Sequence, residues 1–345
     1  MGCSGIKLIT KQNEVFWGRT QDFELNFDYA GVKIPRKWDY NSMFTPFKTK
    51  YAVMGIAWAE NDVKQFPVLL DGVNEHGLTG GSFYFGNFCK YKPADTIKEN
   101  GKIPLRGEEI ATWILTNYKD VDDIIENLNR DIDVTSEEGP MMGKSMPQHS
   151  MFQDESGRSI VVEPTKEDGF DIYENQIGVF TNAPDFKWHL SNLKTHLERS
   201  SYRKYNYSID EPIKRFQEEE FTSGLSAISS DFKPESRFLR AAYNKLLSIE
   251  VEREKALLQL IHLIGTVNNP IGSLRLYDDN NKLIMPWTQF SLYHDISERT
   301  LYIHFYENRT LQKLKLYDTD YNKKDIEYFT FYKDEVIVDM IKDNN

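Results

Sequence analysis

The strongest constraint in this chain is a series of short apolar runs of strand length: "GIKLIT", "EVFWGRTQDF", "YAVMGIAWA", "PVLLDGVNE", "LTGGSFYF", "HSMFQDES", "SIVVEPT" and "GVFTNAP". Their β-branched and aromatic side chains suit pleated, half-buried surfaces, and most runs end at Gly, Asn, Asp or Pro, which supply turns. The polar "KQN" between the first two predicts a hairpin, so Cys3 stands at the start of a strand. These runs outnumber what one sheet layer comfortably holds. Two windows change the period: "RGEEIATWILTNYKDVDDIIENL", apolar at Ile110, Trp113, Ile114, Val121 and Ile124, and "SRFLRAAYNKLLSIEVEREKALLQLIHLIGTV". Spacings of three and four predict amphipathic helices lying against sheets. With "LYIHFYEN" and "LQKLKLY" returning to strands, the order is α+β, antiparallel sheets packed between helical layers.

The stretch 189–221 is polar and aromatic with weak periodicity, and reads as an excursion that serves as a contact surface between subunits. Beyond Tyr317 the chain is charged, yet "YFTFY" and "VIVDMI" predict that this tail docks.

At 345 residues the chain can bury a large core, although length does not choose between one domain and two. A net charge of -11 excludes a general nucleic-acid binder, because phosphate neutralisation needs clustered Lys and Arg. Two cysteines, Cys3 and Cys89, make no disulfide framework, which fits a reducing cytoplasm. The N-terminus lacks the basic and apolar regions of a secretory signal, and no run has the length of a membrane span, so no membrane partner is expected. "MGCSGI" departs from a myristoylation signal by having Ile6 where Ser or Thr is needed.

The seven histidines are scattered without HExxH, and no CxxC pair, P-loop, GxGxxG or G-x-S-x-G occurs, so neither metal nor cofactor is expected. His262, in "LIHLIG", reads as a core histidine. What remains is the early thiol. Were Met1 and Gly2 removed, Cys3 would carry a nucleophile and a base together. If the hairpin pairs, Arg19 and Asp22 return close to it, a cation near the thiol that would favour thiolate and a carboxylate near the amine. On the residues alone, Cys3 stays open between nucleophile and ordinary structural residue.

"GCSGIKLITKQNEVFWGRTQDF", "PVLLDGVNEHGLTGGSFYF", "GVFTNAPDFKWH" and "ESRFLRAAY", in this order and spacing, resemble the penicillin V acylase and conjugated bile salt hydrolase family, the choloylglycine hydrolases among N-terminal-nucleophile hydrolases. The likeness runs over most of the chain. It implies one domain over 1–345 with a four-layer αββα sandwich, a precursor trimmed to expose Cys3, and a homotetramer. By the same resemblance Cys3 is the nucleophile, Arg19 and Asp22 its paired Arg and Asp, Asn182 the oxyanion Asn, and Arg237 the second active-site Arg. Tyr84 stands where penicillin V acylases resemble one another in having Tyr and bile salt hydrolases tend to have Asn. The expected activity is hydrolysis of a small amide with a hydrophobic acyl group, penicillin V first. A conjugated bile salt and an N-acyl homoserine lactone are the alternatives, with an inactive binding protein as the non-enzymatic one. The sequence departs from the family before Arg237, reading "GLSAISSDFKPESRF" in place of a Gly-rich run ending in a "GLPGD"-like turn.

Overall fold

A computed structural model describes residues 2–25, 27–42, 44–59, 67–138, 143–199, 229–277 and 280–340. Gly2–Ile9 and Val15–Phe23 form the expected hairpin, closed by Thr10 and Glu14, with Asn13 at φ 63°. Asn tolerates that left-handed backbone because its short polar side chain bonds locally. This hairpin lies inside a six-stranded antiparallel sheet, in the order Val179–Phe180, Gly2–Ile9, Val15–Phe23, Trp287–Asp295, Thr300–Phe305, Gln312–Lys315. An eight-stranded antiparallel sheet has the order Asp171–Glu174, Ser159–Glu163, Gln148–Gln153, Thr79–Tyr84, Leu69–Asn74, Val53–Trp58, Tyr29–Ile34, Glu327–Phe329.

The two sheets face each other across one apolar core to which Trp17 contributes from the first and Met54, Leu70, Phe83 and Met151 from the second. Close approach is needed there: a Cβ on Gly5 would lie 2.1 Å from the Trp17 ring. Helices Pro234–Leu247 and Arg253–Gly265 cover the outer face of the six-stranded sheet. On the outer face of the other sheet, Ile110–Asn117 and Val121–Asp131 bury Ile114, Leu115, Ile124 and Leu128 against Leu69, Phe152 and Ile160. The architecture is therefore the four-layer αββα sandwich.

Each helical window divides in two. Asp120 caps the second helix of the first window, accepting the Asp123 N–H at 2.9 Å, so the chain must leave helical geometry before it. In the second window Ser248 turns extended (φ −69°, ψ 138°), and the Val251 carbonyl then accepts the Lys11 N–H, tying this connection to the hairpin. His262 is exposed on the last turn of its helix, a correction to the core reading. The polar stretch from 189 is not an excursion at its start: Asp185 accepts the Trp188 N–H and begins a helix, Phe186–Arg199, while 200–228 lie outside the described residues. The tail docks through Glu327–Phe329, but Ile337 and Val338 are 84% and 79% exposed, against the expectation for "VIVDMI". Among the described residues no helix is long and apolar enough to cross a membrane.

Candidate active site

Hairpin register decides which side chains meet. Cys3 pairs with Gln21 and Gly5 with Arg19, so by alternation the Cys3, Gln21 and Arg19 side chains share the face turned toward the second sheet. Gly2 pairs with Asp22, placing that carboxylate on the opposite face, toward the helix that carries Arg237.

Arg19 is fully buried. Its Nη2 lies 3.1 Å from Cys3 Sγ and 2.6 Å from Gln21 Oε1. Its Nη1 donates to the carbonyls of Leu70 (3.1 Å) and Ser82 (2.7 Å). These carbonyls belong to strands whose pairing ends at Asp71↔Gly81, so the guanidinium fills the place where the next ladder bonds would form. Its Nε donates to the Thr20 carbonyl (3.2 Å), and the Phe83 ring at 4.3 Å and the Asp71 carboxylate at 3.9 Å flank it. Asp71 itself accepts from Trp17 Nε1 (3.0 Å) and meets His294 Nε2 (2.9 Å).

On the other face, Arg237 bonds the Cys3 carbonyl (2.6 Å) and Ser4 Oγ (2.5 Å), while its Nη2 reaches Asn182 Oδ1 (2.9 Å). Burial lowers its pKa, with the Asp22 carboxylate opposing that shift. Asp22 has Oδ1 bonded by the Thr288 hydroxyl at 2.7 Å, whereas Oδ2 is buried without a hydrogen-bond partner. Burial raises the Asp22 pKa against the opposing pull of Arg237. A Cβ built on Gly2 would stand 3.0 Å from that Oδ2 and 2.9 Å from Arg237 Nη2, so a side chain there would push these two groups aside.

Asn182 joins the two halves. Its Oδ1 accepts the Cys3 backbone N–H at 2.6 Å, and its Nδ2 donates to the Tyr84 carbonyl at 2.8 Å, leaving the second Nδ2 hydrogen for another acceptor. Tyr84 sits opposite Gln148, and the next residue, Phe85, donates to Pro147. Antiparallel alternation therefore turns the Tyr84 N–H the other way, toward the strand whose pairing has already ended at Asp71. All six residues singled out from the sequence thus belong to one constellation.

A profile described as linear amide C–N hydrolases, choloylglycine hydrolase family, matches residues 3–329. The chain belongs to the choloylglycine hydrolase family. It is 29% identical over 343 residues to a bile salt hydrolase/transferase of Clostridium perfringens, covering 96% of this chain and 97% of that one. To the bile salt hydrolase/transferase of Lactiplantibacillus plantarum it is 28% identical, covering 91% and 92%. Among solved structures, a cysteine-to-alanine mutant of the conjugated bile acid hydrolase from C. perfringens superposes with a TM-score of 0.80 at 26% identity, covering 98% and 100%. The penicillin V acylase from Agrobacterium tumefaciens gives 0.71 at 17% identity over 94% and 90%, a likeness of fold.

The choloylglycine hydrolase resemblance also anticipated an altered segment before Arg237. Part of it, up to 228, lies outside the described residues; at its end Asp231 accepts the Lys233 N–H at 2.8 Å, and the Phe232 carbonyl accepts from Arg237 Nε at 3.0 Å. Gln21, Asp71 and Thr288 were missed in the sequence, although Gln21 follows from register alone, as the residue opposite Cys3. Cys89 is half-buried, and burial pushes its thiol up to about 12, so it is a poor source of thiolate. Among the described residues no three His, Cys, Asp or Glu side chains are grouped to hold a metal ion.

Proposed function

We propose that this linear amide hydrolase works through Cys3 as an N-terminal nucleophile, once Met1 and Gly2 have been removed. The observation that carries this reading is the buried Oδ2 of Asp22 beside Gly2, which accepts no hydrogen bond and has the Arg237 guanidinium 3.9 Å away. A buried carboxylate oxygen without a hydrogen bond is costly, and an α-ammonium on Cys3 would supply one.

In this reading the α-amine, with a reference pKa of about 7.7 to 8.0, takes the thiol proton while Sγ attacks the amide carbonyl. Arg19, through Nη2, stabilises the thiolate, and the backbone carbonyls on its other edge hold the guanidinium in place. The oxyanion accepts from the free Nδ2 hydrogen of Asn182 and from the Tyr84 N–H; loss of one such donor typically costs about 100 to 1,000-fold in rate. The ammonium returns its proton to the leaving nitrogen, the C–N bond breaks, and Cys3 is left as a thioester. Water, deprotonated by the amine, then releases the acid and regenerates the thiol. Arg237 positions rather than reacts: it fixes Asn182 Oδ1 and the Cys3 carbonyl at once.

For the substrate, two relatives matched over nine-tenths of both chains are bile salt hydrolase/transferases, which favours a conjugated bile salt. Tyr84 favours penicillin V instead, as first expected, and an N-acyl homoserine lactone shares the same scissile bond. A side-by-side hydrolysis assay with glycine- and taurine-conjugated bile acids, penicillin V and an acyl homoserine lactone separates them. Failure on every amide would return the chain to a binding protein on this fold. The mature protein is proposed to be a cytoplasmic homotetramer.

A further inference from the structure

Beyond the six residues of the site, two buried histidines stand directly behind Asn182. The strand Val179–Phe180 pairs only through Gly5 and Ile6, so Thr181 and Asn182 continue with no ladder to satisfy their carbonyls. Histidines take the place of the ladder. His149 Nε2 lies 3.0 Å from the Thr181 carbonyl, and His189 Nε2 lies 2.8 Å from the Asn182 carbonyl. A carbonyl only accepts, so both rings carry their proton on Nε2.

Each ring is itself immobilised. His149 stacks on Phe85 with centroids 3.9 Å apart and lies against Phe180, and its Nδ1 meets Glu163 Oε1 at 3.0 Å. The same Glu163 oxygen accepts the Phe186 N–H, the start of the helix bearing His189. His189 stacks on Phe238, the neighbour of Arg237, at 4.6 Å. The network therefore ties Asn182 to the strand that carries Tyr84's cross-strand partner, Gln148, and to the helix that carries Arg237.

With its Nε2 protonated, a neutral His149 offers Nδ1 as an acceptor, so Glu163 brings the proton that joins them. Burial is consistent with that neutral pair: it raises Glu163 to about 8 and holds His149 well below its ordinary value. Likewise burial takes His189 down to about 4, keeping it neutral.

We propose that His149, Glu163 and His189 are positioning residues that fix the Thr181–Asn182 backbone, so that the Asn182 amide and the Tyr84 N–H converge on one oxyanion position. This rests on the oxyanion role given to Asn182 above. A misplacement of about 1 Å at such a group can cost on the order of 100-fold in rate. The expected effect is thus on kcat, with KM little changed.

The test uses the full-length protein and the amide it cleaves fastest. His149→Leu and His189→Phe, each retaining bulk, should lower kcat by about 10 to 100-fold with KM within about twofold. Glu163→Gln should also lower kcat, by a smaller factor, because His149 Nδ1 and the Phe186 N–H meet one and the same oxygen, and a glutamine can put either its NH2 or its carbonyl there but not both. The deciding measurement is a double-mutant cycle: His149→Leu added to Asn182→Ala should cost little beyond Asn182→Ala alone. Fully multiplicative losses would overturn the proposal, since the histidine would then act elsewhere. So would folded His149→Leu and His189→Phe proteins with wild-type kcat. If His149→Leu does not fold, His189→Phe and its own cycle with Asn182→Ala decide. An Asn182→Ala enzyme with unchanged kcat would overturn the oxyanion assignment itself, and this inference with it.

Discussion

Glu163→Gln should remove a pH dependence of stability that can be worked out from the buried pair. Folding raises Glu163 from 4.5 to about 8, so the folded state holds its proton more tightly. The stability this group contributes is fully present below the unfolded value and is lost as pH rises through about 8. His149, held below 6.5 by burial, contributes in the opposite sense: its share is present above 6.5 and lost as pH falls. Because His149 is common to both proteins, its share largely cancels in a comparison with Glu163→Gln. Between pH 5.5 and 8.5 the wild type gives up about 2.5 pKa units of preferential proton binding, or about 3 kcal/mol at 1.36 kcal/mol per unit. Urea unfolding at fixed protein concentration, at pH 5.5, 7 and 8.5, measures this directly. Glu163→Gln should gain about 3 kcal/mol on the wild type across that range. Parallel stability curves would refute the protonated Glu163 and the hydrogen-bond direction assigned to His149.

Cys3→Ser keeps an oxygen nucleophile and the α-amine but not a readily formed thiolate, so turnover of every amide should collapse while the melting temperature holds. Cys89→Ser should keep most activity, its thiol being outside the constellation and pushed up to about 12. Arg19→Lys keeps the charge but cannot reach the Leu70 and Ser82 carbonyls and Cys3 Sγ together. Each buried carbonyl left bare costs about 1 to 3 kcal/mol, so a fall in unfolding free energy of that size should accompany lost activity. Light scattering at micromolar concentration should give a tetramer; a 40.4 kDa species would contradict it.

Legibility in the sequence followed side-chain chemistry. The hairpin could be read because Val15, Trp17 and Phe23 are strand formers and "KQN" is a turn, and its pairing then brought Arg19 and Asp22 to Cys3. Trp287–Asp295 could not be read in the same way. Thr288, Ser291 and His294 are buried on it, so its pattern looks polar although the strand is central. Tyr84, Asn182 and Arg237 were reached only through family resemblance, since no local pattern says that residues 98 apart will share a hydrogen bond. His149 and His189 look like isolated polar residues in the chain; what gives them meaning is the pair of bare carbonyls at Thr181 and Asn182, which exists only in three dimensions.

The central claim is that Cys3, freed at its amine, forms the covalent intermediate. Acid-quenching the enzyme during turnover and measuring the intact mass and the N-terminal peptide tests it most directly. The expected result is a chain beginning at Cys3 that carries the substrate's acyl group as a thioester on that residue. A fully active chain that retains Gly2, or an acyl group found on another residue, would contradict it.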